Sequence, residues 1–115
     1  MYRNYLLWNQ VYTNKIKVLS GIPQKTIKSI KNIKGKYNLT VLHDLLINLI
    51  KKNLHENTII IEPIANIEYE ALVLIMDSVR ILYNTDPALF TKDKENQDKK
   101  VLTLFDDIVF GNIKS

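Results

Sequence analysis

Between Asn38 and Phe110 the apolar residues change their spacing from helical to strand-like and back, and this rhythm restricts the possible folds more than any other feature of the chain. Leu39, Leu42, Leu46, Leu49 and Ile50 fall at i, i+3, i+7, i+10 and i+11, one apolar stripe of a helix. Asn38 stands where an N-cap accepts a backbone N–H that has no helical partner. Lys51 and Lys52 stand in the last turn, where positive charge suits the helix dipole, and Asn53 can end the helix. Thr58-Ile-Ile-Ile-Glu-Pro63 then reads as a strand. Its three consecutive isoleucines suggest a central strand covered on both faces, and Pro63 marks its end.

A second helical stripe follows, made of Tyr69, Leu72, Met76, Val79 and Tyr83 and widened by Val73, Ile75 and Leu82. Asn66 is the expected cap, and Glu68 and Glu70 favour the positive helix terminus. Asp77 and Arg80, three apart, are placed to pair on the flank. Asn84–Lys100 reads as an exposed polar loop with a short helical turn around Ala88–Phe90. Val101–Phe105 returns to apolar character, and Ile108-Val-Phe110 is a short closing strand before Gly111-Asn112. If the strands at 58 and 108 share a sheet and run parallel, the crossover between them should be right-handed.

The N-terminal third is read less sharply. Tyr2–Val11 is rich in aromatic and branched residues, and Lys15–Leu19 alternates polar with apolar, so two strands in a hairpin are expected. Lys25–Lys36 spaces Ile27, Ile30 and Ile33 by three between lysines and is read as an exposed connection. The expected fold class is α+β, two helices packed on one face of a small mixed β-sheet. Residues 1–36 form a basic N-terminal strand or linker segment, and residues 37–115 the α+β domain.

Charge divides at the same place. The net charge of +4 over 115 residues is the balance of +8 in residues 1–36, which hold no acid, and −4 in the remainder. A basic arm can serve a nucleic acid or a membrane surface, provided the charges gather on one face or element. A chain with 16 Ile, 14 Lys and 12 Asn also carries the bias of AT-rich coding, which explains bulk charge without a partner. There is no Cys, hence no disulfide, thiol nucleophile or thiolate metal site. No apolar run approaches the ~20 residues of a spanning helix, and no signal peptide is visible.

The side chains that carry chemistry are few. Gly21, Gly35 and Gly111 lie too far apart for a phosphate-binding loop. His43 and His55 flank opposite ends of the first helix and read as solvated rather than as metal ligands. Glu62 is the one carboxylate of an apolar strand and must find a partner or reach solvent. No triad order appears, so no enzyme, no cofactor and no metal is expected. The lysines of 25–36 could grip phosphates, but that segment lacks an interleaved aromatic.

One stretch resembles a known family. Tyr37-Asn-Leu39 opening a helix, then Thr58–Pro63, then Ile67–Val73 leading into Ile75-Met-Asp-Ser-Val-Arg80, is similar to the periplasmic domain of the ExbD/TolR biopolymer-transport proteins, with Tyr69, Met76, Asp77 and Arg80 as the motif positions. Leu104–Asn112 resembles the terminal strand of longer members. The resemblance implies an interaction domain of a proton-motive-force-coupled energy-transduction complex at the bacterial inner membrane, with this part in the periplasm. It further implies a homodimer, an ExbB/TolQ-like partner reached through a transmembrane helix absent from these residues, and a TonB- or TolA-like periplasmic protein. No nucleic acid belongs to that reading. Sheet edges would make the contacts, with Leu6, Trp8 and Val11 on the N-terminal strand and Ile108, Val109 and Phe110 on the last as candidates. The alternative is a small basic α+β domain that binds nucleic acid.

Overall fold

The computed structural model describes residues 7–21, 24–52, 58–82, 86, 90–92, 95, 97–100, 104, 105 and 107–111. The elements run β1 (Leu7–Val11), β2 (Lys15–Ser20), β3 (Lys25–Lys31), α1 (Leu39–Lys52), β4 (Thr58–Pro63), α2 (Tyr69–Arg80), β5 (Phe90–Lys92), β6 (Asp98–Lys100) and β7 (Asp107–Phe110). Five strands form one sheet in the order β3-β2-β1-β4-β7. β1 pairs antiparallel with β2 and β2 with β3, whereas β4 runs parallel to both β1 and β7. With the two helices on one face of this mixed sheet, the fold is the expected α+β arrangement.

Local chemistry explains the elements. The Asn38 side chain caps α1, accepting the Val41 N–H at 3.3 Å, and Lys51 and Lys52 stand in its last turn. Alternation in β1 and β4 sends Leu7, Asn9 and Val11 and Ile59, Ile61 and Pro63 to the helix-covered face. Leu42, Leu46 and Ile50 of α1 and Leu72, Ile75 and Val79 of α2 complete the core there. Phe105 is fully buried in it, and its backbone N–H and that of Leu104 donate to Val79 and Arg80 at the end of α2.

Several expectations need correction. Lys25–Lys31 is a strand, because its branched residues pair with β2 across a bulge at Val18/Leu19. The turn Ile33–Lys36 places Lys34 (φ 52) and Gly35 (φ 76) both in the left-handed region, the geometry that joins tightly paired chains. The 36/37 boundary therefore does not divide the core, since β1, β2 and β3 share one sheet with β4 and β7. β4 is central, but only one face is fully buried, and Ile60 and Glu62 stand half-buried on the other.

The polar stretch 84–100 contains the β5–β6 hairpin, with Phe90 opening β5 rather than closing a helical turn; Ala88 lies outside the described residues. Glu68, not Asn66, is the N-cap residue of α2, without a capping side-chain bond. Tyr69 is 79% and Leu74 58% exposed, so the buried stripe of α2 is narrower than the apolar pattern and includes Ser78. Tyr83 lies outside the described residues.

Candidate functional site

β1 lies between β2 and β4, so Trp8 and Val11 are not on a sheet edge; Leu6 lies outside the described residues. The loss of an edge has a physical cause: β1 must donate and accept on both sides once β4 runs parallel beside it. The edges are β3 and β7. β7 carries the other candidates, with Ile108 packed against the core and Val109 and Phe110 exposed at 44% and 38%. The motif positions of α2 do not converge. Tyr69 and Arg80 sit exposed at opposite ends of the helix, Met76 packs on the core, and no ion pair joins Asp77 to Arg80.

His43 is 2% exposed rather than solvated. Its Nδ1 donates to the Ser78 carbonyl at 2.8 Å, and its Nε2 lies 2.7 Å from Asp86 Oδ2. The ring thus ties α1 to α2 and to residue 86, an internal fastening that the sequence pattern hid because His43 sits beside the stripe. His55 lies outside the described residues. Among the described residues no group of three metal-ligating side chains gathers, and no helix is long and apolar enough to cross a membrane.

Polar chemistry gathers instead on the sheet face away from the helices. Trp8, Gln10 and Tyr12 alternate with the buried Leu7, Asn9 and Val11 and so point to that outer face, each half-buried. Register places Lys17 beside Gln10 and Gln10 beside Glu62, with Ser29 beyond Lys17. One row therefore crosses four strands as Ser29, Lys17, Gln10 and Glu62. Lys15 and Lys31 are paired in a neighbouring row of the same face.

The contacts within this surface are specific. The Nζ atoms of Lys15 and Lys17 stand 5.0 and 5.5 Å from the centroid of the Tyr12 ring. The ring's π-electron density attracts both ammonium groups. The Tyr12 hydroxyl donates to Gln10 Oε1 at 3.3 Å, and Gln10 Nε2 donates to Glu62 Oε1 at 2.9 Å. Tyr12 is itself fixed from behind, because the Tyr37 hydroxyl donates to its carbonyl oxygen. Burial pushes the Tyr37 phenol above its usual value. Glu62 thus finds its partner in Gln10, the alternative to reaching solvent alone.

A cleft of about 620 Å³ opens where β1 and β4 end, lined by Thr13, Lys36, Tyr37, Asn66, Glu68 and Glu70 among others. Open sheets commonly bind ligands beyond the carboxyl ends of their strands. Here Lys36 opposes two carboxylates across the cleft, whereas on the outer face the register sets Lys15, Lys17 and Lys31 on β2 and β3 apart from the carboxylates Glu62 and Asp107 on β4 and β7.

Comparison of the chain with protein-family models, with curated proteins and with solved structures finds no match in any of the three.

Proposed function

We propose that this chain binds a flexible, single-stranded nucleic acid on the outer face of its sheet. The observation that carries the reading is the pair of ammonium groups of Lys15 and Lys17 gathered on one tyrosine ring, on the same sheet face as the half-buried Trp8. Basic charge counts as a footprint when it collects on one face, and Lys15, Lys17 and Lys31 share this one, while the register sends Lys25 and Lys28 of the edge strand to the helix side. The segment 25–36 lacks an aromatic, but strand pairing brings in Trp8 of β1 and Tyr12 just beyond it. Lysines track phosphates, and an indole offers a face to any base.

The test uses Trp8, the only tryptophan of the chain. Titration with a thymidine 12-mer is expected to quench its emission. With one phosphate neutralised by each of the three lysines of this face, the logarithm of the affinity should fall against the logarithm of salt concentration with a slope of about −2. An unchanged emission together with no binding at 50 mM salt overturns the reading.

A second reading is favoured by β7. This edge bears exposed Val109 and Phe110 and no lysine, whereas the opposite edge, β3, is guarded by lysines. In the ExbD/TolR-like reading, β7 pairs with a second copy or with an extended segment of a TonB- or TolA-like protein. Light scattering at high concentration should then show a dimer that Val109→Lys converts to monomer. A monomeric wild-type chain at high concentration removes the dimer.

A further inference from the structure

We propose that Glu62 reads the bases of a strand held on the outer face and that it selects guanine. The inference rests on the nucleic-acid reading above. Its starting point is the direction of the hydrogen bonds. Tyr12 donates to the oxygen of the Gln10 amide, and the nitrogen of that amide donates to Glu62 Oε1, so both ends of the amide are committed. The chain of donors ends on a carboxylate, which only accepts and keeps several lone-pair positions after taking one bond from Gln10.

A carboxylate repels phosphate. On this face the phosphates therefore belong over Lys15 and Lys17, and the bases over β1 and β4. Glu62 lies one row from Trp8, since Trp8 pairs with Ile60 and Gln10 with Glu62. Rows on one face are about 7 Å apart, so a base stacked on the indole brings its edge over the carboxylate. On the β7 side Glu62 is flanked by Gly111, where a Cβ would stand in van der Waals contact with the Glu62 Cγ at 3.4 Å. Among the bases, guanine alone presents two neighbouring donors on one edge, N1–H and the N2 amino group, which match the two oxygens of a carboxylate. Adenine and cytosine present one amino group beside an acceptor, and thymine one N–H between two acceptors.

The test compares a thymidine 12-mer with 12-mers carrying a single central dG, dA or dC, by fluorescence anisotropy at one salt concentration. The dG oligonucleotide is expected to bind about tenfold more tightly than the all-thymidine strand. Glu62→Gln should erase that preference while the all-thymidine affinity stays equal or rises, because the lost charge had opposed phosphate. The glutamine oxygen can still accept from Gln10, and circular dichroism checks the fold. Equal binding of all four strands, a dA or dC preference as large as that for dG, or a dG preference that survives Glu62→Gln overturns the assignment. Failure of the all-thymidine strand to bind overturns the platform reading itself, and this inference with it.

Discussion

Replacing Lys15 and Lys17 together by glutamate should weaken binding of a thymidine 12-mer at least a hundredfold at 100 mM salt. Two contributions add. Each lost phosphate contact removes its share of counterion release, and each new carboxylate repels the phosphate that the ammonium had held. The logarithmic salt slope should become shallower by about 1.4 for two contacts on a single strand. The fold should survive. Both lysines are half-buried surface residues whose attraction to Tyr12 is worth about 0.5–1 kcal/mol each. Lys51→Glu with Lys52→Glu is the matched comparison. It makes the same change of net charge in the last turn of α1, in the helix layer, and should alter binding less than threefold. Equal losses from both double variants would mean that binding follows bulk charge and not this face. Anisotropy titration at three salt concentrations reads all of these outcomes.

How far the chain announced this surface depends on which physical signal is local. α1 was legible because capping and stripe are encoded within fourteen consecutive residues: Asn38 does cap, and Leu42, Leu46 and Ile50 are buried. The strand–helix–strand order of β4, α2 and β7 was likewise legible from an isoleucine run, a helix and a second apolar strand, while the parallel pairing of the two strands is set by the sheet as a whole. What failed was long-range. Nothing near Lys25–Lys31 indicates that β2 lies beside it, so its lysines read as a connection. Nothing near Trp8 indicates that β4 runs beside β1, so an internal strand read as an edge. The row Ser29, Lys17, Gln10, Glu62 exists only after four strands are set in register. One signal was available: Glu62, the single charge in an apolar strand, needed a partner, and Gln10 supplies it. Tyr69 shows the converse, a position in the apolar helical pattern that the fold leaves 79% exposed.

Asn9→Leu should raise the stability of the fold by about 1–3 kcal/mol, the desolvation cost of a buried group that finds no hydrogen bond. Asn9 is fully buried at the middle of β1, on the helix-covered face, and neither its Oδ1 nor its Nδ2 has a partner among the described residues. Its neighbours in register are Val18 and Ile61, both fully buried and apolar. Leucine keeps the branching at Cγ and exchanges an unsatisfied amide for methyl groups that this environment favours. The gain should appear as a higher midpoint in urea with an unchanged slope, since the surface exposed on unfolding is nearly the same. Asn9→Ala separates the two contributions: it also removes the unsatisfied amide but leaves a cavity, so its gain should be smaller or absent. A lower midpoint for Asn9→Leu would mean that the amide does have a partner, such as a buried water, that outweighs the apolar packing. Because Asn9 faces the helices and the lysines face away, the substitution should leave oligonucleotide affinity unchanged within twofold. Stability and binding would then be carried by opposite faces of the same strand.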